Sequence, residues 1–387
     1  MADRVVPGYE PRGVPLGGFL LSPELDAGIV AVDNLYASPG KAAADIAAAV
    51  SPGFALTSQW SRNLLAVTGS ATYTHYLSAT TEDSDLYRTR VQGRYDISPE
   101  LAVSAYGDYH QDQVSRTQPG SILGLARPLS YTVLSGGGRL TWTNNRLHVA
   151  IKGDDRRVNY DNLVFSSGLV QPPLGLNRHE GIITGTAEYA LTSAVSLLVQ
   201  ASTNRTAYRL SDGQVAGPDR SSKKHELLFG TSFEFTDFLR GELALGYIDQ
   251  QFDSAVYKNY KGFGGRLKLQ LFATQLTTAE FDLSRTLNEA DNPLDSNYVM
   301  TSATFKLNHE LFRNVVLSPS VTVSQNGFQQ IGLVESQLRA TFNATWLLDR
   351  SLSLQAQYQH VFSWSNSSQV GLNFNVNAFS ITAIYRI

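Results

Sequence analysis

Residues 223–252 read KKHELLFGTSFEFTDFLRGELALGYIDQQF, and this stretch decides the fold class. Leu227, Phe229, Phe233 and Phe235 fall on one side of a period-2 alternation, and Leu243, Leu245 and Tyr247 continue it after the three-residue turn Thr236–Asp237–Phe238. Glu234, Arg240 and Glu242 fall on the other side. Alternation with period 2 is the signature of a β-strand with one apolar and one polar face. Two such runs, 223–236 and 238–252, joined by so short a turn form an antiparallel hairpin.

The same unit recurs along the whole chain. Strands are expected at about 19–33, 43–60, 64–79, 85–97, 101–114, 130–143, 146–158, 180–192, 194–208, 223–236, 238–252, 259–273, 275–288, 297–309, 314–326, 331–348, 351–363 and 369–387, or about eighteen. Connections alternate in length: SRN (61–63), SPE (98–100), NN (144–145), TSA (192–194), FRN (312–314) and DRS (349–351) are tight, while 115–129, 159–179, 209–222 and 289–296 are long. Strict alternation of short and long connections is the mark of an up-and-down barrel with one periplasmic and one exterior rim.

Composition agrees with a barrel whose oily side faces outward. Charged residues make up 17% and hydrophobic residues 42% of the 387 positions. The charged share is well below the roughly 25% usual in soluble domains, and the missing charge is replaced by Ser, Thr, Asn, Gln, Gly and Tyr. A ring of about eighteen strands encloses a lumen too wide for side chains to fill, so the apolar row must meet lipid. Strands of 13 or more residues suit a tilted crossing of the bilayer, and closure pairs every backbone group. A soluble sandwich would need Greek-key crossovers and varied turn lengths. The outer set also includes Leu65, Val67, Tyr73, Tyr87, Val91, Tyr95, Leu338, Phe342 and Trp346.

The polar face defines the candidate pathway. It carries Arg88, Arg90, Arg94 and Asp96, then Asp108, His110 and Asp112, then Arg139, Lys152, Asp154 and Arg156. Farther round come Arg266, Lys268, Glu280, Asp282, Lys306, Glu335 and Arg339. Near the C-terminus, Gln355, Gln357 and Gln359 precede Asn373, Asn375 and Asn377, and the amides read either as a ladder for sugar hydroxyls or as side chains that pair with one another. The charges read either as cross-strand ion pairs that stiffen a wet wall or as a conduit of little net selectivity. Strands 43–60 and 64–79 instead present small lumen residues, Ala47, Ala49, Ser51, Gly53, Ala55, Thr57, Ala66, Thr68, Ser70 and Thr72. The unusually apolar loop 159–179 is expected to fold into or over the lumen as a constriction.

Other chemistry is excluded by what the sequence lacks. It has no cysteine, so no disulfide and no thiolate site. The seven histidines, His75, His110, His148, His179, His225, His309 and His360, show no metal-ligand spacing, and no metal or other cofactor is expected. The glycine-rich stretches SGGG (135–138) and GFGG (262–265) lack the Lys-Ser/Thr pair of a phosphate loop. His110 and Asp112 could orient a serine for lipid hydrolysis, but they belong to the lumen row rather than to the lipid face. No catalytic residue is expected. A formal net charge of −3 without a basic tract leaves no case for a nucleic-acid partner. No apolar run approaches a membrane-spanning helix, and MADRVVPGYEPRG at the N-terminus has no signal-peptide core, so the expectation is a processed form.

The segment RGVPLGGFLLSPELDAGIVAVDNLYA, residues 12–37, resembles the opening of the outer-membrane β-barrel family of the "putative beta-barrel porin 2" type. Arg12, Gly18, Phe19, Pro23 and Leu25 match its first strand, and Asp33, Asn34, Leu35 and Tyr36 match the acid–amide pair that follows. DIAAAVSPGFALTSQWSRN, with Pro52 and Trp60, resembles the next segment. That family is associated with exopolysaccharide export. The resemblance implies an outer-membrane channel that exports a surface polysaccharide together with a periplasmic export protein. A general or sugar-selective diffusion porin is the alternative, and a lipid hydrolase or receptor barrel the least supported. Residues 1–18 read as a periplasmic segment and 19–387 as one transmembrane barrel. The last strand is expected to close on the first near Leu21–Ile29, with Leu372, Phe374 and Val376 toward lipid and a β-bulge near residue 378.

Overall fold

The structure is a computed structural model that describes residues 8–40, 42–173, 175–209, 219–291, 295–367 and 373–387. Its long strands are β1 (Phe19–Val32), β2 (Asp45–Ser58), β3 (Leu64–Tyr76), β4 (Ser84–Asp96), β5 (Leu101–Gln113) and β6 (Ser130–Asn144). They continue as β7 (Leu147–Tyr160), β8 (Arg178–Ala190), β9 (Val195–Tyr208), β10 (Ser222–Phe235), β11 (Leu239–Phe252) and β12 (Tyr260–Thr274). The last six are β13 (Thr277–Glu289), β14 (Asn297–Phe312), β15 (Val315–Phe328), β16 (Val334–Leu347), β17 (Leu352–Ser365) and β18 (Phe374–Arg386). Each long strand pairs antiparallel with its sequence neighbours, and β18 pairs with β1, so the sheet closes into a barrel of eighteen long strands. The short strand Val14–Leu16 folds back on Phe19–Leu21 at the short-turn rim.

Closure satisfies the ladder groups that an open edge would leave bare in lipid. Registers run without slippage over most of the wall. Shifts fall between Leu271 and Thr274 and between Glu310 and Phe312, both beside short turns. In-register pairs also fix which side chains share a face. Val67↔Val91↔Gly107, Leu227↔Tyr247↔Phe263 and Phe342↔Tyr358↔Phe379 are chains of outward residues. Phe229, Leu245, Ile29 and Phe263 are more than half exposed there, as a lipid-facing surface requires. Trp60, Tyr95, Trp142, Tyr189 and Trp346 crowd the short-turn end of the wall. Aromatic rings with a polar edge concentrate at such a membrane boundary.

The seam corrects one expectation. Ala378 pairs with both Val32 and Gln359 and Phe379 with both Ala31 and Tyr358, without a register shift, so no bulge interrupts β18. The phase set by Phe379, Ile381 and Tyr385 outside therefore extends unbroken to the strand's start. Phe374 and Val376 point inward and are buried with Val361 and Ala37, while Asn375 and Asn377 point outward and Asn373 is exposed beside the start of the strand. Leu372 lies outside the described residues. The physical reason is height on the wall. At the long-loop end the strand has risen past the hydrocarbon, so amides suit its outer face, while loop 33–44 supplies an apolar surface inside.

Loop 33–44 also explains the acid–amide pair of the N-terminal motif. Asn34, 4% exposed, donates from Nδ2 to the Asn375 carbonyl at 2.9 Å and to the Ser38 carbonyl at 3.0 Å. The Asp33 carboxylate accepts from the Asn377 backbone at 2.7 Å and from its Nδ2 at 2.6 Å. Together the two residues clasp the last strand to the first.

Candidate functional site

The lumen is capped at the long-loop rim by loop 114–129, which leaves β5 and reaches toward the opposite wall. Arg116 forms a forked pair with Glu82 at 2.6 and 3.1 Å, anchoring the near end. Farther along, Gln118 Nε2 donates to Asp291 Oδ2 at 2.9 Å, the Gly120 amide donates to Glu335 Oε2 at 2.8 Å, and Gln337 Nε2 donates to the Thr117 carbonyl at 2.8 Å. β6 and β15 stand nine strands apart in the ring of eighteen, on opposite sides, and Phe328 of β15 presses against Gly120. Gly120 has φ +71°, and a Cβ there would lie 2.7 Å from Phe328 Cζ. Only glycine meets both conditions without strain.

The apolar loop expected to form the constriction takes a supporting place instead. Leu163 and Leu176 are buried with Val114, Leu125 and Leu129 of loop 114–129 and with Val133 and Val158 of the wall. Ala126 donates to the Val164 carbonyl at 2.7 Å, so the two loops are stitched together. Sequence reading placed the oily loop as folded in, but not loop 114–129, which it holds across the mouth. The residues of that loop that make the crossing, Arg116, Thr117, Gln118 and Gly120, are polar or small and carry no periodic pattern by which to recognise it.

Beside this bridge lies a buried polar cluster. Tyr160 Oη donates to Asp291 Oδ1 at 2.6 Å, and Arg178, 7% exposed, bonds Glu180 at 2.7 Å, Tyr160 Oη at 3.2 Å and Asp291 at 3.3 Å. Arg220, 3% exposed, donates to the carbonyls of Gly175, Ala290 and Ser296 and stacks over Tyr208 at 4.6 Å. Tyr208, in turn, donates to Glu289 at 2.8 Å. A guanidinium buried at a loop junction in this way locks several carbonyls at once. None of these residues stood out in the sequence, because their partners are contributed by loops far apart in the chain.

Below the mouth, the wall residues expected in the lumen face inward by register: Arg88, Arg90 and Arg94 on β4, Asp108 and Asp112 on β5, Arg139 on β6, and Lys152 on β7. Arg266 and Lys268 on β12, Glu280 and Asp282 on β13, Arg339 on β16, and Gln355 and Gln357 on β17 do so as well. Arg94, Ser104, Arg139 and Lys152 form one register row across four strands. Arg94 and Lys152 also pair with Asp96 at 2.8 Å and Asp154 at 2.9 Å. Arg139 has no carboxylate within 4 Å among the described residues, and it sits directly opposite Lys152. Like charges directly opposed are unfavourable, so the row keeps a positive excess facing water.

Other members of the set are braces. Asp108, with a side chain 2% exposed, is held by Arg88 at 2.8 Å and by His110 at 2.7 Å. It is shielded from the lumen water. Tyr106, absent from the expected set, organises the same wall: Arg90 stacks over its ring at 4.5 Å and its hydroxyl donates to Asp154 at 2.7 Å. Across the lumen, Glu234, Arg240, Glu242, Lys268, Glu280 and Asp282 line a recess of about 620 Å3 near the short-turn rim. β13 is nine strands from β4, so Glu280 and Asp282 lie across the lumen from the Arg88–Arg94 row.

Comparison with known proteins places this architecture. The family "Putative beta-barrel porin 2" matches residues 6–386, and the chain belongs to it. No curated protein matches the sequence. Among solved structures, the chain is similar to OccK2 (OpdF) of Pseudomonas aeruginosa at 11% identity and TM-score 0.51, covering 95% of this chain and 98% of that one. The complex of the same protein with glucuronate gives TM-score 0.50 at the same identity and coverage. OpdK of P. aeruginosa gives 0.49 at 11% identity, with 95% and 98% covered. Family and fold define a bacterial outer-membrane porin-type barrel, a channel rather than an enzyme. The rim with short turns is therefore periplasmic and the rim with long loops extracellular.

Proposed function

We propose that the protein is a diffusion porin for small polar solutes, with a preference for hydroxylated or carboxylated ones. The observation that carries this reading is the mouth. Loop 114–129 is hydrogen-bonded across the mouth to Asp291, Glu335 and Gln337, above a lumen in which the Arg88 and Arg94 side chains remain exposed to water. A fixed partition of that kind sets a size limit, and the Arg94–Arg139–Lys152 row offers donors to an anion passing beneath it.

The export role implied by the family resemblance, with a polysaccharide substrate and a periplasmic export protein as partner, has less support. A chain of linked sugar rings would have to pass a mouth spanned by a pinned loop.

Purified barrel in planar bilayers and in swelling proteoliposomes tests the reading. Steady open conductance is expected, with monosaccharides and a sugar acid such as glucuronate entering faster than trisaccharides. Channels that stay closed and conduct only after removal of residues 115–129 would overturn it in favour of a gated exporter. Loss of surface polysaccharide in a strain lacking the protein, with small-solute uptake unchanged, would do the same.

A further inference from the structure

The outer face of the barrel is electrically lopsided at its extracellular end. Within five residues of that end, every outward-facing Lys or Arg among the described residues lies on β7 to β13: Arg157, Arg205, Lys223, Lys261 and Arg285. On β14 to β18 and β1 to β6 the corresponding outward positions carry none, being occupied by residues such as Gln325, Ser336, Phe362, Ala31, Ile46, Tyr73 and Tyr109. His179 and His225 belong to the same belt.

Three of these cations, Arg157, Lys223 and Arg285, are exposed and have no carboxylate within 4 Å among the described residues, and Arg285 donates instead to the Thr301 hydroxyl at 2.7 Å. Arg205 stands directly opposite Lys223 in the ladder, and Arg157 opposite His179. Asp253 holds Arg205 through a two-point contact, Asp249 holds Lys261 at 3.3 Å, and Asp155 holds His179. Like charges juxtaposed on a sheet cost stability unless an anion joins them.

The surface beneath the belt supplies the second half of a site. Phe229 and Leu245 are opposed in the ladder beside the outward row Leu227–Tyr247–Phe263, so an apolar wall on β10 to β12 lies on the short-turn side of Lys223. Ile183 stands four residues along β8 from His179, and Ile183, Phe229, Leu245 and Phe263 are 59, 57, 59 and 77% exposed. A partner must therefore be anionic at the height of the headgroups and hydrocarbon below. We propose that this belt binds a phosphorylated lipid of the outer leaflet, with its phosphate between Arg157, Arg205 and Lys223 and its acyl chains along Ile183, Phe229 and Leu245. The proposal concerns the outer wall and does not depend on which solute crosses the lumen.

The test uses the purified barrel in nanodiscs of phosphatidylcholine, with and without diphosphorylated lipid A, and native mass spectrometry to count retained lipid A. The double variant Arg157→Gln, Lys223→Gln is the probe, and His75→Gln on β3 is a control at the same height on the bare half. Each basic residue near a charged membrane surface contributes a factor of roughly five, so the double variant should bind lipid A about 25-fold more weakly and the control normally. Unchanged circular dichroism and conductance establish that the variant is folded. Equal lipid A retention by wild type and double variant overturns the proposal. Displacement of lipid A by millimolar inorganic phosphate also overturns it, because the belt would then be a site for free anions.

Discussion

Tyr160 and Asp291 meet at the mouth of the barrel, the tyrosine hydroxyl donating to the carboxylate at 2.6 Å across 131 positions of sequence. Gln118 takes the other oxygen of the same carboxylate at 2.9 Å. One side chain thus ties the end of β7 to the loop that spans the pore. Asp291→Asn keeps the shape but removes the charge that Arg178 and Tyr160 share. Loss of a partner from a buried group costs roughly 1–3 kcal/mol, so single-channel recordings should show flickering between open levels where the wild type is steady.

Gly120 gives a steric test of the same bridge. Gly120→Val adds a β-branched side chain where φ is +71° and where Phe328 leaves no room for a Cβ. The loop must move away from β15, and the limiting size of sugar in liposome swelling should rise. The double variant with Phe328→Ala removes the clash but not the backbone strain, so only partial return is expected.

Arg139 decides the sign of selectivity if the basic row is the solute path. Arg139→Glu changes the row by two charges while Arg94 and Lys152 keep their partners Asp96 and Asp154. Reversal potentials across a salt gradient should shift toward cations, by an amount that shrinks at high ionic strength. An unchanged reversal potential would remove this row from the path.

Asn34→Ala opens the clasp at the seam. Two side-chain donations to backbone carbonyls are lost, at 2.9 and 3.0 Å, from a residue that is nearly inaccessible. A loss of roughly 1–3 kcal/mol is expected, read as a lower urea midpoint in lipid vesicles, whereas Asn177→Ala in a loop away from the seam should leave seam cross-linking between β1 and β18 unchanged.

Strand number, facing and rim assignment were legible because alternation is a local property that repeats. Leu227, Phe229 and Phe233 declare their face within a dozen residues. The last strand misled for an equally physical reason: at Phe374 and Val376 the apolar side belongs to the inner face, because loop 33–44 rather than lipid covers it. Apolarity reports burial against something oily, not which something. The pore's partition was illegible because Gln118, Gly120 and Asp291 are ordinary loop residues until the ring brings them together. Asp108 was read as a lining group, and only its neighbours Arg88 and His110 show it to be a brace.

The seam carries a consequence for how the barrel is made. β1 and β18 meet through nine residue pairs, from Glu24↔Arg386 to Val32↔Ala378, whereas β1 and β2 share fourteen. All other neighbours along the wall are consecutive in sequence and can zip as hairpins, but this pair closes a loop of more than 340 residues. Loop closure on that scale is entropically the most demanding step. A nascent chain can therefore build a curved sheet from either end, yet it stays an open, edge-bearing intermediate until Asp33 finds Asn377. Cellular assembly machinery that holds the terminal strands near each other would accelerate this one event above all, and variants that weaken the clasp should accumulate as unclosed, protease-sensitive chains rather than as leaky pores.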